Sequence, residues 1–183
     1  MLKCASFFAG VGGIDLGFEK TGYFDVVYAN EIDEYPVKTY EANSKIKVDC
    51  RDIHEVKASE IPDFDVMLAG FPCQAFSVAG YRKGFDDEKG RGTLFFELVR
   101  IFKEKKPQIV FLENVKNLVG HDNGNTFAVI LDELKKEDKV VILACHDKEE
   151  LFYLSDEIIE IDGGIIKKQY RVDERREEQN QQA

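Results

Sequence analysis

Phe64-Asp65-Val66-Met67-Leu68-Ala69-Gly70-Phe71-Pro72-Cys73-Gln74-Ala75-Phe76-Ser77 decides how this chain is read. The apolar run from Phe64 to Ala69 has the length and composition of a buried strand, which puts Cys73 in the loop at its C-terminal end. In an open α/β sheet that edge is where ligands and chemistry collect. Cys73 is therefore a candidate nucleophile, with a buried structural thiol as the alternative. The segment from Gly70 to Gly92 favours the first reading. It is long, polar and broken by Gly80, Gly84, Gly90 and Gly92, and long loops without secondary structure of their own are more often functional than inert. It also carries Arg82, Lys83, Lys89 and Arg91, and nearby cations favour the attacking thiolate.

Outward from this stretch, apolar runs alternate with amphipathic segments. Strands are expected at Lys3–Phe8, Phe24–Ala29, Ile46–Val48, Asp65–Ala69, Gln108–Leu112 and Lys139–Ala144, with Gln108–Leu112 as the most hydrophobic, central one. Helices are expected at Gly13–Thr21, Asp33–Asn43, Thr93–Lys105 and Thr126–Lys136. Such alternation implies a mostly parallel sheet with helices on both faces, a three-layer Rossmann-like α/β fold. After Cys145 a short helix, Lys148–Leu154, leads to two β-rich runs around Asp162-Gly163-Gly164, the signal of a small C-terminal β-hairpin. One α/β domain over residues 1–170 is expected. The tail at 171–183 is rich in Asp, Glu, Arg, Gln and Asn and reads as disordered.

The 183 residues suit one domain with a full core, and 44% hydrophobic with 33% charged residues describe a soluble globular protein. No apolar stretch is long enough to cross a membrane and no signal segment opens the chain, so a cytoplasmic protein without membrane partners is expected. Cys4, Cys50, Cys73 and Cys145 are scattered without a CxxC pair, which disfavours a metal site or a disulfide framework. The net charge of −10 argues against tight unaided DNA binding except through a local patch, for which the basic loop after Cys73 is the candidate.

Two further strand ends carry chemistry. Phe8-Ala9-Gly10-Val11-Gly12-Gly13 follows the first strand and opens the first helix, where glycine permits a tight turn and close approach of a ligand to the backbone. Asn30-Glu31-Ile32-Asp33 closes the second strand, roughly 20 residues on, where a carboxylate grips ribose hydroxyls in nucleoside-binding sheets. Glu31 alternatively reads as a helix-capping acid. Asp52-Ile53 is placed to meet an adenine amino group and ring, although Asp52 equally suits a turn cap. Glu113 ends the fifth apolar run on the same edge as Cys73, and a cysteine with a carboxylate in one cleft suggests covalent attack assisted by proton donation.

Phe8-x-Gly10-x-Gly12-Gly13, Asn30-Glu31-Ile32-Asp33, Gly70-Phe71-Pro72-Cys73-Gln74, Gly92-Thr93-Leu94-Phe95 and Glu113-Asn114-Val115 stand in the order and spacing of the DNA cytosine-5 methyltransferases. From Met1 to about Lys136 the chain resembles the catalytic half of that family. The resemblance implies an S-adenosylmethionine site lined by Phe8, Ala9, Gly10, Gly12, Gly13, Glu31, Ile32, Asp52, Ile53 and Gly70. It implies that Cys73 attacks C6 of a flipped-out cytosine and that Glu113 bonds and protonates N3. Arg51 stands where the family often has glycine. The family's later Gln-x-Arg-x-Arg motif, target-recognition domain and closing helix have no counterpart, since Gln169-Tyr170-Arg171 lacks the second arginine at the right place.

Residues 137–170 resemble the end of an ABC transporter ATP-binding domain, through Val140–Asp147, Leu154-Ser155-Asp156-Glu157 and Ile161-Asp162-Gly163-Gly164. His146 matches the histidine that reaches the γ-phosphate there. No GxxxxGK[ST] loop and no ABC signature accompany it, so no ATP is expected and His146 is read as capping a strand end. A natural or engineered join near Lys135–Lys139 is the corresponding expectation. The chain is thus expected to be a cytosine-5 methyltransferase catalytic region with little activity alone, acting on DNA with a complementing recognition chain. The alternative is a non-enzymatic chimera that keeps cofactor affinity at most.

Overall fold

The computed structural model describes residues 1–70, 94–113, 140–144 and 155–172. Strands β1 (Leu2–Phe7), β2 (Phe24–Asn30), β3 (Val66–Gly70), β4 (Ile109–Glu113) and β5 (Val140–Ala144) form one parallel sheet in the order β2-β1-β3-β4-β5. Helices α1 (Gly13–Glu19), α2 (Glu34–Asn43) and α3 (Leu94–Lys105) lie between strands in sequence, as parallel pairing requires long crossovers. Two single 3-10 turns, Ile53–Glu55 and Ala58–Glu60, precede β3. A separate antiparallel pair joins β6 (Glu157–Asp162) to β7 (Ile165–Arg171). The mostly parallel, Rossmann-like sheet with a small C-terminal hairpin is the architecture expected from the sequence.

The chain steps from β1 outward to β2, then returns to the other side of β1 as β3. This reversal makes the crevice between the C-terminal ends of β1 and β3 the topological switch point. Register aligns those ends: Phe7 pairs with Asn30 on one side and Ala69 on the other, and Gly70 pairs with Glu113.

Both faces of β1 and β3 are covered, whereas Val140 and Ile142 of the outer strand β5 are exposed. Cys4, Val26, Val66 and Leu68 form one buried cluster with Ile14 and Phe18 of α1. Phe18 meets Phe24 edge-on at 4.9 Å and Phe111 at 5.3 Å. Phe7, from the opposite side of β1, packs on Tyr28 and Phe64. On α3, Leu98, Val99, Ile101 and Phe102 are buried, and Arg100 donates to the carbonyls of Val56 and Ile53 at the first 3-10 turn.

Two expectations are corrected. Ile46–Val48 is not a strand; only the bridge Asn30–Asp49 forms. Side chains take the amides that a ladder would use: Ile46 N donates to Ser44 Oγ and Val48 N to Glu41 Oε1. The middle of the sheet is β3 rather than β4; β3 is buried along four successive residues, whereas β4 alternates. The expected helices at Thr126–Lys136 and Lys148–Leu154 lie outside the described residues, as does the tail beyond Val172.

The chain divides into two compact units, residues 1–144 and 145–183. In the second, Gly163 and Gly164 have φ of +56° and +76°, the paired left-handed conformations of a two-residue type I′ hairpin turn. Among the described residues, no helix is long and apolar enough to cross a membrane.

Candidate functional site

The C-terminal edge of the sheet brings together four segments chosen from the sequence: the glycine loop after β1, Glu31 after β2, Gly70 ending β3 and Glu113 ending β4. The glycine loop turns through left-handed residues at Phe8 (φ +55°), Gly10 (φ +56°) and Gly12 (φ +84°). Its amides are committed in sequence: Ala9 N donates to Asn30 O at 3.0 Å and Gly12 N to Ala9 O at 2.9 Å. Gly12 caps α1, and Gly13 opens it on the exposed side.

Glu31 ties the loop to the end of β2. Its Oε2 accepts from Gly10 N at 2.9 Å and its Oε1 from Asp33 N at 3.0 Å. The capping alternative for Glu31 falls to its neighbour: Asp33 is the N-cap of α2 and accepts from Tyr35 N. Ile32, beside Glu31, is 59% exposed.

Asp52 does act as a turn cap. Its Oδ1 accepts from His54 N at 3.0 Å and lies 2.6 Å from His54 Nδ1. The His54 amide, foremost, holds its carboxyl below the usual range. Ile53 is 2% exposed and belongs to the core. Arg51 pairs with Asp49 at 2.7 Å and Glu60 at 2.9 Å, so its guanidinium is held by the segment that carries it.

Gly70 and Glu113 are register partners at the ends of β3 and β4. A Cβ on Gly70 would lie 3.3 Å from Glu113 Oε2, 3.5 Å from Ile14 Cδ1 and 4.0 Å from the Phe8 carbonyl oxygen. A side chain at position 70 would therefore press on the Glu113 carboxylate and displace it by a few tenths of an ångström. Cys73 and the basic loop lie outside the described residues.

Two sets of residues went unread in the sequence. Asn30, 2% exposed, spends its side-chain amide on the carbonyls of Asp49 and Arg51 and so holds the irregular segment that leads to Asp52. Its position next to Glu31 at a strand end was the available signal. Asp15, also 2% exposed, accepts from Ser6 Oγ at 2.7 Å and Tyr40 Oη at 2.6 Å. An acid in the first turn of a helix reads locally as a dipole partner, which conceals this role. Burial pushes the Asp15 carboxyl above the ordinary range, and its two donors pull it part of the way back.

Residues 2–146 match the family described as C-5 cytosine-specific DNA methylase. The chain belongs to this family. Type II methyltransferase M.Bsp6I of Bacillus sp. (strain RFL6) is 64% identical over 135 residues, covering 74% of this chain and 42% of that protein. Type II methyltransferase M.HhaI of Haemophilus parahaemolyticus is 49% identical over 137 residues, covering 75% and 41%. A crystal structure of a Spodoptera frugiperda DNMT2 mutant superposes with a TM-score of 0.60 at 25% identity, over 75% of this chain and 42% of that one. The chain spans about two fifths of the length of these C-5 cytosine methylase relatives. The family match contains all five parallel strands, including β5, and stops before the β6–β7 hairpin.

Proposed function

We propose that this chain is the cofactor-binding and cysteine-bearing region of an S-adenosylmethionine-dependent DNA cytosine-5 methyltransferase. The observation that carries this reading is the Glu113 carboxylate beside Gly70, on the same C-terminal sheet edge where Glu31 holds the amide of Gly10 in the glycine loop. S-adenosylmethionine supplies an electrophilic methyl group when bound. The residues present fit it. The two Glu31 oxygens each accept one amide hydrogen and keep lone pairs for ribose hydroxyls. Ile32 offers exposed apolar surface for the adenine, while Asp52 and the buried Ile53 form the supporting wall. Ala9, Gly10, Gly12, Gly13 and Gly70 bring backbone with little or no side chain to the crevice, and Phe8 adds an aromatic residue to its lining.

Cys73 follows Gly70 by three residues, so the chain tethers it within about 11 Å of that edge. Its thiolate adds to C6 of a flipped cytosine, forming a C–S bond, while Glu113 places a proton on N3. The C5 carbon would then take the methyl group from the sulfonium, which leaves as S-adenosylhomocysteine. Loss of the C5 proton to a water base, cleavage of the C–S bond and return of the N3 proton to Glu113 would restore the ring and free the thiolate. The base must leave the stack because C6 is inaccessible within it.

DNA is the proposed substrate, held weakly by these residues alone because the net charge is −10. A complementing recognition chain would supply the remaining contacts. Residues 137–170 are proposed as a segment like the end of an ABC ATP-binding domain, joined to the methylase region. The family match reaches residue 146 and takes in β5, so it overlaps the start of this segment, and the reading rests on the hairpin beyond that match. No ATP binding is expected.

Titration of the 183-residue chain with S-adenosylhomocysteine is expected to show binding, and ATP none. A duplex containing a mechanism-trapping cytosine analogue is expected to be captured covalently by the wild-type chain and not by Cys73→Ser. Absence of both cofactor binding and capture would leave the non-enzymatic chimera as the reading.

A further inference from the structure

We infer that the buried Ser6–Asp15–Tyr40 network is the positioning device of the glycine loop, setting Gly10 to Gly12 in the shape that the proposed cofactor site requires. The inference rests on that site for its purpose and on this geometry for its substance. The three residues come from the three elements that surround the loop: Ser6 from the end of β1, Asp15 from the first turn of α1 and Tyr40 from α2. Both Asp15 oxygens are used, one by each hydroxyl. No cation pairs with Asp15 among the described residues, so the two hydrogen bonds are what offsets burying this carboxyl.

The Tyr40 ring also occupies the space behind residue 12. A Cβ there would lie 2.8 Å from both Tyr40 Cδ2 and Cε2. Gly12 is thus required twice, by its left-handed φ of +84° and by the ring pressed against it. From the other side, Glu31 holds Gly10 by its amide. The loop is clamped between a carboxylate in front and an aromatic ring behind.

Packing alone would be met by phenylalanine at position 40. The hydroxyl and its buried carboxyl partner add cost, and what they add in return is orientation: they fix the angle of the ring and hence the position of Gly12. Tyr40 and Asp15 are positioning residues, since neither reaches the exposed side of the loop.

Tyr40→Phe in the full chain tests this, because it keeps the ring and removes one hydrogen bond. A core variant outside the hydrogen-bond network, Val26→Ala, supplies a comparably destabilised control. Tyr40→Phe is expected to weaken S-adenosylhomocysteine binding about tenfold, the effect of one buried hydrogen bond lost with its partner left unsatisfied. It is also expected to speed amide exchange at Gly10 and Gly12 more than Val26→Ala does, at temperatures well below unfolding. Asp15→Asn, which keeps one acceptor oxygen, is expected to fall between wild type and Tyr40→Phe. Equal affinity and equal glycine exchange in Tyr40→Phe and Val26→Ala would overturn the inference. If the wild-type chain binds no S-adenosylhomocysteine, the methyltransferase reading fails, and the exchange comparison still decides the role of the network.

Discussion

Strand β3 and the β6–β7 hairpin are built from similar apolar letters and have opposite fates. Val66, Met67, Leu68 and Ala69 are each at most 1% exposed. In the hairpin Ile158 is buried, but Ile159, Ile161, Ile165 and Ile166 are at least half exposed. A central parallel strand is covered on both faces, so an unbroken apolar run suits it. The hairpin interrupts its isoleucines with Glu157, Glu160, Lys167 and Lys168, and a two-stranded ribbon has no second layer of its own. Apolar content alone therefore says little about burial. The number of layers a strand lies between decides it, and the candidate site sits on the sheet that has them.

The widest separation between the two regions should appear in core truncations. Leu68→Ala is expected to cost about 2–5 kcal/mol, whereas Ile161→Ala should stay within about 0.5 kcal/mol. Urea titration followed by circular dichroism reads both, since the chain has no tryptophan. An equal loss in the two variants would break the contrast and mean that the hairpin is covered in solution. Glycines sharpen it next. Gly12→Ala combines a left-handed φ with a ring at 2.8 Å and is expected to cost roughly 2–4 kcal/mol. Gly163→Ala has a φ of +56° with nothing within 4 Å, so about 1 kcal/mol of backbone strain is expected, visible as local hydrogen exchange in the hairpin.

The smallest effect is electrostatic. Burial raises the Asp15 carboxyl in the folded protein, so the folded state holds this proton more tightly than the unfolded chain. The stabilisation this provides is fully present below the unfolded carboxylate pKa of about 3.9 and is lost as pH rises through the folded value. Asp15→Asn should therefore flatten the stability profile above that range relative to wild type, read as melting temperature against pH. An unchanged slope would show that Asp15 titrates as an ordinary surface acid.

Much of the parallel sheet was legible because its cues are local. The runs at Lys3–Phe8, Phe24–Ala29 and Asp65–Ala69 match β1, β2 and β3 to within a residue or two at either end. Asp33 declared the start of α2, and Asp162-Gly163-Gly164 declared the hairpin turn. Ile46–Val48 failed for a reason no propensity contains: Ser44 and Glu41 side chains capture its amides. At the site, Glu31 and Glu113 were found because they are polar residues ending apolar strands. Asp15 and Tyr40 were missed because each looks ordinary on its own helix, and only their meeting across 25 residues gives them a role.

The sequence by itself determined the order of strands and helices, the glycine loop and which acids stand at strand ends, since each follows from hydrophobic period, turn chemistry and residue type within a few neighbours. Tertiary structure alone decided that β3 is the middle strand, that Gly70 makes room for Glu113 and that Tyr40 presses on Gly12. Those facts depend on strand order and register, which bring distant parts of the chain within a few ångströms. Close packing then excludes a side chain at residue 12, where the Tyr40 ring stands, and crowds the Glu113 carboxylate at residue 70.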